Sequence, residues 1–211
     1  MFPNKIDPSK FNISDNIIKG TRAWCSPVTY DGKTLELITP IMTLAFPLSS
    51  YQYPGKPKIN YSISVELDSN NPNYKSLNQV IQGIDANTKK TFESDLSDHQ
   101  FISSVKYSNN GKYVPTLRLK MVSNSHRFKC VIKRNGEYVS DEIEPVKRLL
   151  VKGVKLKLKI QLNPIWKVNK KYGVSYQVLE MDVMDPPNNK HSDNPKPKPG
   201  YNSSPFRFAR T

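Results

Sequence analysis

The stretch GVKLKLKIQLNPIWKVNKKYGVSYQVLEMDVM, residues 153–184, decides how the rest of the chain is read. It opens with a two-residue alternation: Val154, Leu156, Leu158, Ile160 and Leu162 against Lys155, Lys157, Lys159 and Gln161. A strand repeats every two residues, so the apolar set can enter a core while the lysine set faces outward. Asn169-Lys170-Lys171-Tyr172-Gly173 reads as the loop of a hairpin joining Ile165-Trp166-Lys167-Val168 to the last strand. Along that strand the inward set changes from Val174, Tyr176 and Val178 to Leu179, Met181 and Val183, a parity switch that predicts a β-bulge or a strand shared between two environments.

Strand signals continue upstream. In residues 116–121, Leu117, Leu119 and Met121 alternate with Thr116, Arg118 and Lys120. Residues 128–139 read as a hairpin about Asn135-Gly136, and residues 59–67 as a half-buried strand with Ile59, Tyr61, Ile63, Val65 and Leu67 on one side. Residues 24–46 are strand material with a turn at Asp31-Gly32 and a break at Pro40. Between these lie a turn-rich connection, residues 51–58, and a short apolar-basic one, residues 143–150. One helix interrupts the strands. Leu77, Val80, Ile81, Ile84, Phe92 and Leu96 recur at three- and four-residue spacings, predicting helix over 74–96 with Pro72 at its start. Gly83 and Asp85-Ala86-Asn87-Thr88 are where it would weaken or split.

The ends differ in character. Residues 1–22 read as a polar N-terminal arm, and residues 186–211, with their Pro-Lys repeat and little to bury, as a flexible basic tail. The body, 23–185, is mainly β. Five or more strands with one helical insertion fit a Greek-key barrel of the oligonucleotide-binding (OB) type. A β-sandwich has the same content, and period and turns do not separate the two.

The formal charge is +14 over 211 residues, and its placement is more informative than its size. Residues 1–99 hold ten basic and ten acidic side chains, whereas 100–211 hold twenty-two and eight. Between Glu144 and Glu180 there are nine basic residues and no acid. Such a field favours a polyanion. A membrane is not expected as partner, since no apolar run approaches the roughly 20 residues a spanning helix needs and the N-terminus lacks a signal-peptide layout. Cys25 and Cys130 are then expected as free thiols in a reducing, intracellular compartment.

Nothing points to catalysis. His99, His126 and His191 are isolated, the two cysteines lack ligand spacing, and no phosphate-loop or dinucleotide pattern occurs, so no metal or cofactor is expected. Carboxylates cluster at Glu66 and Asp68, at Glu93, Asp95 and Asp98, and at Asp141, Glu142 and Glu144, but the sequence sets none of these groups opposite a basic groove.

Basic charge interleaved with aromatic rings is the surface chemistry that holds a single nucleic-acid strand. Lys155, Lys157, Lys159, Lys167, Lys170 and Lys171, helped by Arg118, Lys120, Lys129 and Lys133, would follow the phosphates. Trp166, Tyr172 and Tyr176 would stack on unpaired bases, with Tyr107, Tyr113 and Phe128 in reserve. Tyr172, beside Gly173 in the lysine-rich loop, is expected to be exposed, while core packing competes for Trp166. The lysine stripe has a second explanation as a guard on an edge strand. RNA binding, or a basic packaging role without single-strand preference, stays open at this point.

Residues 153–184 also resemble the C-terminal strand pair of the single-stranded DNA-binding proteins of large nucleocytoplasmic DNA viruses, matching at Trp166, Lys170, Lys171, Tyr172, Gly173 and Tyr176. That family resembles in turn the phage T7-type single-stranded DNA-binding proteins. The resemblance implies an OB fold, single-stranded DNA as partner, and a part in viral DNA replication, recombination or repair beside viral replication proteins, in the host cytoplasm or nucleus. One departure stands out. T7-type proteins end in an acidic tail, whereas Lys190, Lys196, Lys198, Arg207 and Arg210 here outnumber Asp193.

Overall fold

A computed structural model describes residues 1–7, 10–14, 18–19, 23–68, 70–108 and 111–185. Five strands form its centre: β1 (Met42–Gln52), β2 (Ile59–Glu66), β3 (Thr116–Met121), β4 (Lys155–Leu162) and β5 (Tyr176–Met184). β2 pairs antiparallel with both β1 and β3, β3 runs parallel to β5, and β5 is antiparallel to β4. β4 then returns to β1 through Lys155↔Thr43 and Leu156↔Met42. The ring is closed, so the body is an OB-type barrel rather than a sandwich.

The alternation that opens the sequence reading is what fills it. Leu156, Leu158 and Ile160 of β4 are buried against Leu44, Ile63, Val65, Leu117 and Leu119. Each such side chain contributes roughly 1.5–3 kcal/mol by leaving water. The predicted bulge is present. Lys159 lies opposite Glu180 and Ile160 opposite Val178, so the register skips Leu179 and Met181 and Val183 turn inward in its place.

Helix α1 (Lys75–Thr91) connects β2 to β3, and α2 (Ile143–Leu149) precedes β4. α1 runs unbroken through Gly83 and residues 85–88, because Ile81, Ile84 and Thr88 are buried on one face and hold the turn in place. It stops at Phe92, somewhat short of the predicted end. α2 replaces the expected connection. Its Pro145 sits in the first turn, where a proline costs no helical hydrogen bond, and Val146 anchors it to the core.

One further expectation changes. The hairpin after β4 is tighter than read: Ile165–Val168 pairs with Lys171–Gly173 about Asn169-Lys170, and β5 pairs with β4 instead. Asn169 takes the left-handed conformation, φ 54°, that so short a turn demands. The described part of the N-terminal segment lies against the body. Phe11–Ile13 pairs with Val28–Tyr30, Pro3 is buried, and the Ile38 N–H donates to the Met1 carbonyl at 2.8 Å. The expected tail, 186–211, lies outside the described residues.

Candidate nucleic-acid interface

An open hollow of about 970 Å³ crosses the outer face of β2 and β3. Its floor is Ile59, Asn60, Tyr61 and Ser62 of β2 with Arg118, Lys120 and Met121 of β3. One wall is the β1–β2 connection with Tyr51, Tyr53 and Lys58. The other is the β4–β5 connection with Trp166, Val168, Asn169, Lys170, Lys171, Val174 and Ser175. Ile102, Ser103, Ser104 and Lys106 close it along β3. Among the described residues lining it six are basic and none is acidic.

Each wall has a local cause. β1 and β2 are joined across Pro54-Gly55, and Gly55 takes φ 72°. This turn leaves Tyr51 and Tyr53 edge to face, with ring centroids 4.7 Å apart, and both more than half exposed. On the opposite wall the strand parity of Ile165–Val168 sends Ile165 into the core and Trp166 and Val168 toward the hollow. Trp166 lies opposite Gly173, and that glycine is required: a β-carbon there would fall 2.1 Å from the Ile102 carbonyl oxygen and 3.2 Å from the Trp166 ring. The backbone of Gln100–Ile102 therefore packs directly beside the hairpin, in parallel register with Lys171–Gly173.

The floor is electrostatically unbalanced. Arg118 Nε donates to Ser62 Oγ at 3.2 Å, holding the guanidinium flat across two strands. Partial desolvation in the groove, then the neighbouring Arg118 charge, lower the pKa of Lys120 below the ordinary lysine value while its side chain stays exposed. An anion laid on this floor would offset both effects by favouring the charged ammonium.

Of the residues expected from sequence, Arg118, Lys120, Trp166, Lys170 and Lys171 meet in this hollow. Lys155, Lys157, Lys159, Lys129 and Lys133 do not line it. Lys155 donates to Thr43 Oγ1, Lys159 pairs with Glu36, and Lys133 pairs with Glu180, which raises the lysine pKa through the hydrogen bond. The β4 lysines point outward as expected, but from another part of the barrel wall than the hollow. Lys167 shares a strand with Trp166 but has the opposite parity, and its ammonium lies 5.9 Å from the Trp24 ring.

Two expected stacking residues are core instead. Tyr172 is 5 % exposed, edge-on to Phe92 and Phe101, and Tyr176 is fully buried on β5. A glycine neighbour does not expose Tyr172, because the two-residue turn points it back onto α1. Phe128 is also buried, against Tyr61, while Tyr107 and Tyr113 are exposed outside the hollow. Sequence reading missed Tyr51, Tyr53, Lys58, Tyr61 and Lys106. The signal was present: YQYPGKPKINY interleaves three tyrosines with two lysines, but it lies in the half of the chain with no net charge. Neither cysteine is disulfide-bonded, and burial pushes the Cys130 thiol up to about 11. Among the described residues no group of His, Cys, Asp and Glu could hold a metal ion, and no helix is long and apolar enough to cross a membrane.

No family model matches the sequence, and no curated protein does. Solved structures do. The single-stranded DNA-binding protein of bacteriophage Enc34, in complex with single-stranded DNA, superposes with a TM-score of 0.50 at 8% identity, over 81% of this chain and 96% of that one. Another is gp2.5, the single-stranded DNA-binding protein encoded by bacteriophage T7, at TM-score 0.46 and 16% identity, over 81% and 100%. At such identities the Enc34 likeness is one of fold, and it agrees with the closed five-stranded barrel described above.

Proposed function

We propose that this chain binds single-stranded DNA in the β2–β3 groove, without catalysis and with little sequence preference, and protects exposed strands during viral DNA replication, recombination or repair. One observation carries the reading: a groove free of acid among its described lining residues, whose floor is cationic and whose two walls carry aromatic rings, the exposed Tyr51 and Tyr53 on one and the half-buried Trp166 on the other. Cations along a track hold phosphates, and rings on both sides stack only on bases that are not already paired. OB barrels use this same face and these same two loops for oligonucleotides. The Enc34 protein, of like fold, is described in complex with single-stranded DNA, which supports the choice of ligand. The resemblance of residues 153–184 to proteins of large nucleocytoplasmic DNA viruses supports a viral setting in the host cytoplasm or nucleus, with replication proteins as further partners.

The test is a titration of the intrinsic fluorescence with oligothymidylate at several salt concentrations. Micromolar or tighter binding at low salt, weakening steeply as salt rises, is expected. No binding at low salt overturns the reading. Matched RNA and duplex competitors complete it: equal affinity for duplex would favour a packaging protein, and tighter binding to RNA would change the polymer.

A further inference from the structure

Asp85 is a carboxylate on the buried side of α1, flanked by Ile81, Ile84 and Thr88, and the groove chemistry so far has no use for it. Ser103 Oγ donates to Asp85 Oδ2. Ser103 Oγ in turn accepts the Val105 N–H at 3.0 Å, and the Ser104 carbonyl accepts the Arg118 N–H at 3.0 Å. Residues 103–105 are thus strung between α1 and β3, and Ser103 and Ser104 line the groove. Asp85 stands one hydrogen bond beneath that surface.

Three buried oxygens here lack a hydrogen-bond partner: Asp85 Oδ1, Ser104 Oγ and Tyr176 Oη. Buried polar groups are nearly always paired, so such a set calls for a physical reason. An ionised carboxylate only accepts, while a protonated one also donates. Asp85 Oδ1 accepts no hydrogen bond, so an ionised Asp85 holds part of its charge buried and unsatisfied, and a proton there removes that charge. The charged and titratable groups around it are Lys89, one turn on along α1, and Tyr176 of β5; Lys106 and Arg118 stand beyond Ser103.

We propose that Asp85 positions the groove wall through Ser103, and that the groove takes up its nucleic acid together with a proton held at Asp85. This rests on the function proposed above. Desolvation already raises the carboxyl to about 6, against the lowering by the Ser103 hydrogen bond and Lys89. Phosphates laid on the far side of Ser103 add like charge and raise it further. Coupling is reciprocal, so if DNA favours the proton, the proton favours DNA. Affinity rises as pH falls from about 8 to 6, by up to about tenfold for each unit the bound strand adds.

The experiment is titration calorimetry with oligothymidylate near pH 6.5, in two buffers of different ionisation enthalpy, which counts protons taken up. Wild type takes up part of a proton; Asp85→Asn loses that uptake and binds at pH 8 at least as tightly as wild type. His99→Gln, which removes the imidazole joined to Lys170 through Asp98, is run in parallel and should keep the Asp85 component. Asp85→Ala, which cannot hold Ser103, binds several-fold more weakly than Asp85→Asn at every pH. Uptake unchanged in Asp85→Asn, or alanine and asparagine variants that bind alike, overturns the proposal while the functional reading stands. Failure of every variant and of wild type to bind at low salt overturns the functional reading and this proposal with it.

Discussion

The Lys159 ammonium sits 2.6 Å from the Glu36 carboxylate, an ion pair between β4 and the short strand Glu36–Ile38 that pairs with it. It shows how the most conspicuous basic stripe of the sequence is used. Lys159 is engaged with Glu36 and Lys155 with Thr43, and none of the three β4 lysines lines the groove.

Lys157→Ala and Lys159→Ala should therefore leave single-strand affinity nearly unchanged, with a stability effect within about 1 kcal/mol for an exposed pair. Lys106→Ala, Arg118→Ala or Lys120→Ala should weaken it, each flattening the plot of log affinity against log salt by about 0.7 for the phosphate contact removed. Salt-series titrations of the two sets provide the comparison, and equal effects would move the binding face to β4.

Aromatic substitutions should divide in the same way. Trp166→Ala, Tyr51→Ala and Tyr53→Ala remove rings from the groove walls and should each cost about 1–3 kcal/mol of binding at unchanged fold. Tyr172→Ala empties a packed site between Phe92 and Phe101 and should cost about 3–5 kcal/mol of stability instead. Urea unfolding read beside DNA titration separates the two classes.

Gly173→Ala tests the close approach behind Trp166. The added methyl meets backbone, the Ile102 carbonyl, which cannot swing aside. The hairpin must move away from residues 100–102, with a loss on the order of 1–3 kcal/mol in stability and a displaced Trp166. A changed tryptophan emission spectrum together with weaker DNA binding is expected. A variant as stable as wild type would contradict the geometry.

Asp85 also sets a pH dependence of stability. Its folded-state value of about 6 stands above the unfolded 3.8, so the folded chain keeps a proton that the unfolded chain releases. The stability this gives is complete below about pH 4 and is lost as pH rises through 6, leaving a deficit on the order of 3 kcal/mol at pH 8. Asp85→Asn should be the more stable protein at pH 8 and should flatten the profile between pH 4 and 7. Denaturant midpoints at both ends of that range decide it.

Much of the barrel was legible because strand parity is local. Leu156, Leu158 and Ile160 alternate with lysines whatever they pair with, and the switch at Leu179 marked the bulge before any partner was known. The Asn135-Gly136 and Asp31-Gly32 turns were readable for the same reason, since their left-handed backbone is a property of the residues themselves. α2 was not legible: seven residues containing a proline give too short a period, and Val146 is helical because the core receives it.

The site divided along the same line. Sequence by itself determined that the chain is a mainly β, strongly basic protein, which strand faces are apolar, and that lysines and aromatics are interleaved near residue 170. Only the tertiary structure decided which of them share a surface. Closing the ring through β3, β5 and β4 sent the Lys155–Lys159 stripe away from the groove and brought Arg118, Lys120 and Lys106 to Trp166. It also joined residues 51–61, from the uncharged half of the chain, to the basic hairpin more than a hundred residues later. Parity fixes the side of a strand from its neighbours in sequence; the far wall of a groove is set by loop closure and core packing, which depend on the whole chain.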